Sequence, residues 1–275
     1  MNSLMTMKTY DELVSAKLFS YTQLDPNYGV DLEGLTELVA YAAKVSNPSA
    51  AKQAEMRNAS RLIDYLISHK HWSPLEMVDC TLDLMTTRDI SHQVIRHRSF
   101  SFQEFSQRYA EVLTEDDQGI QMVLSEARLQ DHDNRQNSIR VDLSDPEQED
   151  LYYWWEQQQK EQIERVANVY QEAISRGLAK EVARKILPEG LTATRVFMKG
   201  SLRSWVHYIE LRSGHGTQLE HMMLANAIAE AIQKCFPMVN EFIEGGPPQE
   251  GAYLLNGRWA IDEFEHGDRN PVYLT

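Results

Sequence analysis

From Arg96 to Tyr109 the chain reads RHRSFSFQEFSQRY, placing three arginines, a histidine and a glutamate among four aromatic residues. Whatever fold contains this run must give the arginines something anionic to hold and the rings something to cover. Arginine presents a planar fork of donors that matches carboxylate and phosphate, and it stays charged at any working pH. A solvated basic helix end would account for the charges alone. It does not account for Phe100, Phe102, Phe105 and Tyr109 interleaved with them, whereas a nucleotide or ring cofactor does.

The rest of the chain supports a small anionic ligand over a polymeric one. Net charge is −14 across 275 residues, and it is unevenly spread. Residues 111–165 carry fifteen acidic and five basic side chains, while 166–220 carry eight basic and five acidic. No extended basic stripe exists for a nucleic acid polymer. No apolar run approaches the ~18–20 residues of a membrane span. The opening MNSLMTMKTYDELVSAK is interrupted by Asp11 and Glu12 and lacks the apolar region of a secretion signal. Cys80 and Cys235 lie far apart in sequence, which argues against a disulfide framework and fits a reducing cytoplasm.

Hydrophobic periodicity predicts amphipathic helices over 34–45 and 49–69, the second capped by Asn47 or Ser49. Val78, Cys80, Leu82 and Leu84 alternate as in a half-buried strand. Asp89 is expected to cap a short helix that delivers Arg96 and His97 at its carboxyl end. SFSFQEFSQRY reads as a loop with little regular structure. Residues 111–150 form a polar, acidic excursion, and Pro146 opens a long helix to about Ser175. A short helix EVARKIL, a strand LTATRVFMK, a helix SLRSWVHYIELR and a last long helix TQLEHMMLANAIAEAIQKCF follow. Helices outnumber strands, which come as separate pairs. The expected class is α+β, mostly helical with an antiparallel sheet, in a single domain over 1–275 with an acidic insert at about 111–165.

Several chemistries are disfavoured. Cys80 lies on the apolar face of its strand with no cation beside it, and Cys235 follows Lys234, which a helix turns to another face. Both read as inert packed thiols. No HExxH or CxxC pattern is present, and His92 and His97 at i, i+5 point to different faces, so no metal is expected. GxGxxG and GxxxxGK[ST] are missing as well, so a nucleotide must be held by side chains and helix ends. Arg184, Arg195, Arg203 and Arg212 supply a second set of cations. Arg203, His207 and, less squarely, Arg212 are spaced to share one helix face, giving a second wall to one anionic pocket.

Arg96-His97-Arg98, seven intervening residues, then Ser106 resembles the signature of the flavin-dependent thymidylate synthases. HWSPLE (His71 to Glu76) is similar to the family's His-x-[Ser/Thr]-Pro-x-Glu turn, and Gln93 stands three before the first signature arginine. ARKILP, KGSLRSWVHYIELR and TQLE resemble its C-terminal segments in order and spacing, so the similarity runs from about Val39 to Phe236. Ser201 stands where many members have asparagine, Gln103 replaces an asparagine before Glu104, and His215 falls one residue nearer Arg212.

The resemblance implies conversion of dUMP to dTMP, with methylenetetrahydrofolate as carbon donor and NADPH supplying a hydride through tightly bound FAD. It implies flavin contacts from Ser73, Arg96, His97, Arg98, Glu104, Ser201, Leu202, Arg203 and His207. It places Gln93, Val94, Ile95, Arg96, Glu104, Phe105, Ser106, Gln107, Arg108, Arg184 and Arg212 around dUMP, with Arg212 acting on the pyrimidine. It also implies a homotetramer with FAD sites at subunit interfaces. The aromatic cluster Tyr152, Tyr153, Trp154 and Trp155 then serves either such an interface or packing of its helix onto its own core. Two other classes stay open: a metal-dependent nucleotide hydrolase using His71, His92 and His97, and a non-catalytic nucleotide-binding protein of the same fold.

Overall fold

The computed structural model describes residues 7–32, 34–46, 59–110, 122–214, 216–242, 253–255, 258–265 and 268–273. Residues 49–58 of the expected helix over 49–69 lie outside them, as do its expected caps, leaving Ala59–Ser68. The helices in chain order are α1 (Tyr10–Leu13), α2 (Gly34–Lys44), α3 (Ala59–Ser68), α4 (Arg88–Val94), α5 (Pro146–Ser175), α6 (Lys180–Ala183), α7 (Leu202–Arg212) and α8 (Leu219–Gln233). The strands are β1 (Lys8–Thr9), β2 (Ser15–Tyr21), β3 (Asp79–Thr87), β4 (Phe100–Glu104), β5 (Val123–Leu124), β6 (Arg128–Gln130), β7 (Ser138–Arg140), β8 (Ala193–Ser201), β9 (Tyr253–Leu255), β10 (Arg258–Glu265) and β11 (Asp268–Tyr273). The class is α+β, as expected.

The centre is one antiparallel sheet in the order β2-β3-β8-β4, so the strands do not stand as separate pairs. The Phe-rich run forms its β4 edge and is not the irregular loop its polarity suggested. Phe100, Phe102 and Glu104 turn to the covered side while Ser101 and Gln103 are exposed, the period of two that a strand requires. Cys80, Leu82 and Leu84 from β3 and Val196 and Met198 from β8 form the inner face, all buried. Helix α8 packs on β2 and β3, and α7 packs on α8 and on the 3-10 turn Ser73–Met77. The acidic excursion contributes β5 and a β6–β7 hairpin. Beyond it Asp145 caps α5 by accepting from the Glu147 N–H at 3.0 Å, with Pro146 in the first turn where no amide donor is needed.

One close approach fixes how the signature segment sits. Gly200 of β8 faces both Cys80 of β3 and Phe100 of β4. A Cβ at Gly200 would lie 2.4 Å from the Phe100 ring. That ring cannot retreat, because Trp205 and Tyr208 of α7 meet it edge-on with centroids 4.6 and 5.9 Å away. Gly200→Ala should therefore destabilise by about 1–3 kcal/mol through overpacking. Thermal melting tests this, and an unchanged melting temperature would show that the ring has room to move.

Candidate active site

Helix α4 ends at Val94, one turn earlier than the sequence suggested, and its N-cap is Thr87. Asp89 sits inside the first turn and accepts a hydrogen bond from the Thr87 hydroxyl at 2.5 Å. Arg96, His97 and Arg98 thus fall in the tight connection between α4 and β4. Arg96 and Arg98 are exposed, and their guanidinium groups have no hydrogen-bonding or ionic partner among the described residues. His97 turns the other way, onto α7. The Arg212 Nε–H donates to His97 Nε2 at 3.0 Å, and the imidazole meets the Tyr208 ring edge-on at 4.8 Å.

Arg212 therefore departs from the expected shared face with Arg203 and His207. Nine residues at about 100° each place Arg203 and Arg212 about half a turn apart in azimuth and ~14 Å apart along the axis. Arg203 instead reaches Glu76 Oε1 at 2.7 Å. The Ser201 hydroxyl and then Arg203 hold the Glu76 carboxyl below its ordinary range. His207, exposed, lies edge-on to Trp72 at 4.5 Å. The HWSPLE turn, with Ser73 at its exposed start, is thereby tied to the beginning of α7. Leu202 places its side chain in the core and its N–H on Val78 O at 2.9 Å, so no side-chain contact to a ligand comes from it.

The second half of the signature packs against α6. Phe105 N–H bonds Arg195 O at 2.9 Å, and beyond it Ser106 is half-buried. Arg108 faces Glu181 of α6 at 3.5 Å, while half-buried Arg184 follows one turn later. Gln107 is buried, and its Nε2 has no hydrogen-bond partner among the described residues. A buried amide donor left unpaired costs free energy. Glu104 is engaged within its own chain: Oε1 accepts from Ser91 and Thr194, each at 3.0 Å, and lies 3.5 Å from Arg88. Val94 is buried and Ile95 exposed, so neither side chain adds a polar contact.

Sequence reasoning did not connect His221, Tyr208 and Gln218 with Gln93. His221 Nε2 lies 2.9 Å from the Tyr208 hydroxyl and its Nδ1 3.1 Å from Gln93 Oε1, while Gln93 Nε2 donates to Gln218 Oε1 at 2.7 Å. The only signal was one histidine on an apolar helix, which reads as ordinary packing. Cys80 and Cys235, remote in sequence, bring their sulfurs to 3.8 Å as free thiols. The three histidines of the hydrolase alternative are separated: His71 lies by Tyr65 and His69, His92 by Glu189, His97 on Arg212. Among the described residues no group of three or more His, Cys, Asp or Glu is arranged to hold a metal ion.

Burial, reinforced by the Arg212 charge, lowers His97 to about 4 and His221 to about 3. Both rings are thus neutral, as acceptance of the Arg212 N–H by His97 demands. An unfolded chain binds these protons near 6.5, so between about 6.5 and 4 it holds more protons than the folded one. Stability must then fall as pH falls through that window. The melting temperature should drop by at least a few degrees from pH 7.5 to 5, and His221→Leu should flatten the profile. An equally steep profile in that variant would show that His221 does not contribute.

The family profile described as thymidylate synthase complementing protein matches residues 30–238. A probable flavin-dependent thymidylate synthase of Paramecium bursaria Chlorella virus 1 is 45% identical over 234 residues, 84% of this chain and 99% of that protein. A flavin-dependent thymidylate synthase of a Synechocystis species is 43% identical over 221 residues, 80% of this chain and 95% of that one. Among solved structures, a UMP/dUMP methylase from Streptomyces cacaoi bound with 5-Br UMP superposes with a TM-score of 0.66 at 21% identity, over 84% of this chain and 94% of that one. With the signature arginines, the HWSPLE turn and the α7 cations assembled on this fold, the chain belongs to the thymidylate synthase complementing protein family, that of the flavin-dependent thymidylate synthases.

Proposed function

We propose that the chain converts dUMP to dTMP by reductive methylation, with methylenetetrahydrofolate as carbon donor and FAD as the hydride carrier that NADPH reduces. Relatives matched over nearly their whole length are thymidylate synthases and flavin-dependent by name, which supports this reading. The observation that carries it is the Arg212 guanidinium, held by neutral His97 close enough to the His221–Gln93 pair for its charge to act on His221.

The residues present fit a flavin dinucleotide. Arg96 and Arg98 offer two unpaired guanidinium forks, and Arg203, steadied by Glu76, offers a third for a pyrophosphate. Ser201 and His207 lie beside the Glu76–Arg203 pair, and Ser73 opens the turn that carries Glu76. When bound, the flavin supplies the hydride transfer that no side chain can perform. The chain's own residues bind and orient. Ser106, Arg108 and Arg184 hold the nucleotide phosphate, with Gln107 Nε2 as a further buried donor. Gln93 and Arg212 address the pyrimidine, where Arg212 stabilises negative charge as C5 becomes nucleophilic.

Arg203 and Arg212 stand at opposite ends of one helix, which supports completion of each site by further copies in a homotetramer with FAD at subunit interfaces. Tyr153, Trp154 and Trp155, exposed rather than packed on their own core, support the interface reading of that cluster. No helix among the described residues is long and apolar enough to cross a membrane. The small number of cysteines, two in 275 residues, supports a reducing cytoplasm.

Three measurements follow from the assignment. The purified protein should be yellow or bind added FAD, and should be larger than a monomer; a colourless monomer that ignores FAD in a titration would overturn the reading. Arg108→Ala should weaken dUMP binding by roughly 1.5–3 kcal/mol, since a phosphate contact is present in ground and transition states alike. Arg212→Ala should instead lower turnover at saturating dUMP by about 100-fold or more, with flavin reduction by NADPH much less affected. A rise in the dUMP requirement alone would remove Arg212 from the activating role.

The cysteines supply a separate test of the flavin-only chemistry. Cys80 is buried, and its contact with Cys235, together with burial, pushes its thiol far up, away from the thiolate a nucleophile needs. Replacing both by alanine should cost stability yet leave dTMP formation per folded molecule nearly intact. Loss of turnover with FAD still bound would assign a thiol to the chemistry.

A further inference from the structure

Behind Gln93 runs a hydrogen-bond chain whose polarity is set from a single unambiguous end. The Glu220 carboxylate, buried and ion-paired through Oε1 to Arg128, can only accept. Gln218 must therefore turn its Nε2 toward Glu220 Oε2, at 3.1 Å, which leaves its Oε1 facing Gln93. Gln93 then donates from Nε2 to that oxygen at 2.7 Å, so its own Oε1 faces the other way, to His221 Nδ1 at 3.1 Å. That bond requires the proton on Nδ1, which makes Nε2 an acceptor for the Tyr208 hydroxyl at 2.9 Å. Every amide and ring orientation along the chain follows from its neighbour rather than from a choice between flips. His221 is fully buried, and burial together with Arg212 keeps it neutral.

We propose that His221 and Tyr208 make the site selective for a uracil base over a cytosine base by locking the Gln93 side-chain amide in one orientation. This rests on the assignment of Gln93 to the pyrimidine. Uracil presents a donor at N3 beside an acceptor at O4; cytosine presents an acceptor at N3 beside a donor at N4. A carboxamide matches one of these edges in one orientation and the other after a half-rotation about its terminal torsion. That torsion is soft and two-fold, so an unrestrained amide serves both bases. A locked amide facing the wrong base leaves buried donors and acceptors unpaired, the arrangement by which binding sites discriminate most strongly. His221 and Tyr208 act through Gln93 and are positioning residues.

The experiment is equilibrium binding of dUMP and of dCMP to the FAD-loaded protein by titration calorimetry. Phosphate and sugar contacts are common to both nucleotides and cancel in the affinity ratio, so the ratio reads the base alone. His221→Leu and Tyr208→Phe should each lower the dUMP-to-dCMP ratio about tenfold or more with FAD retained. His221→Asn, whose side-chain amide can restore a donor at the place of Nδ1, should recover most of it. Tyr208→Phe removes one oxygen without changing the ring, so it carries the test if the histidine variants do not fold. A wild-type ratio in His221→Leu and Tyr208→Phe, including one kept while both nucleotides weaken alike, overturns the lock. If Gln93→Ala still lowers the ratio in that case, Gln93 remains a pyrimidine contact. If Gln93→Ala leaves dUMP affinity and the ratio unchanged, the assignment of Gln93 fails, and the lock with it.

Discussion

The contact between the Phe100 ring and Gly200 sets the position of everything chemical in this molecule. It is a cross-strand pair with no Cβ on one side, so the Cδ1–Cε1 edge of the ring fills the space a side chain would take. Trp205 and Tyr208 close over it from α7. Three consequences follow from that one packing. The connection carrying Arg96, His97 and Arg98 is brought to the flank of α7, so His97 meets Arg212. Tyr208 is oriented so that its hydroxyl reaches His221. The far end of α7 is left to the HWSPLE turn, whose Glu76 takes Arg203. Apolar packing places the polar groups here, which is why the site needs no glycine-rich turn.

Much of the fold was legible because it depends on local pattern. The helix from Pro146 to Ser175 follows from Asp145 and Pro146 at its start, and β3 from strict alternation along Val78–Leu84. The β4 edge was misread because its polar residues suggested a loop, although Phe100, Phe102 and Glu104 already carried a period of two. Sheet order could not be read, since pairing β8 between β3 and β4 joins segments more than ninety residues apart. The thiol contact between Cys80 and Cys235 is hidden for the same reason.

For the candidate site, residue types at fixed spacing were legible and their partners were not. The signature arginines, Ser106 and the α7 cations could be named from the chain alone, and the resemblance supplied their expected roles. Adding angles along α7 would have separated Arg203 from Arg212, because nine residues make two and a half turns. No local pattern shows that His97 is spent on Arg212, that Glu104 is held by Ser91, Thr194 and Arg88, or that Glu76 steadies Arg203. Those are tertiary pairings between groups whose sequence neighbours say nothing about one another.

The arginines divide by what holds them, and for Arg212 the brace fits the role proposed for it. Arg203 and Arg212 are braced by Glu76 and His97, so their guanidinium planes are set before a ligand arrives. Arg96 and Arg98 are unbraced and exposed. A donor aimed at charge that develops during a reaction gains most from being fixed in advance, because no reorganisation is then needed in the transition state. Of the three arginines proposed for the pyrophosphate, Arg96 and Arg98 keep their reach while Arg203 is held by Glu76. The choice of brace matters as well. A carboxylate on Arg212 would neutralise the guanidinium just where the proposed chemistry wants positive charge, whereas a neutral imidazole orients it and leaves the charge intact. Burial holds His97 in that neutral form, so the same packing that places Arg212 also preserves its electrostatic strength.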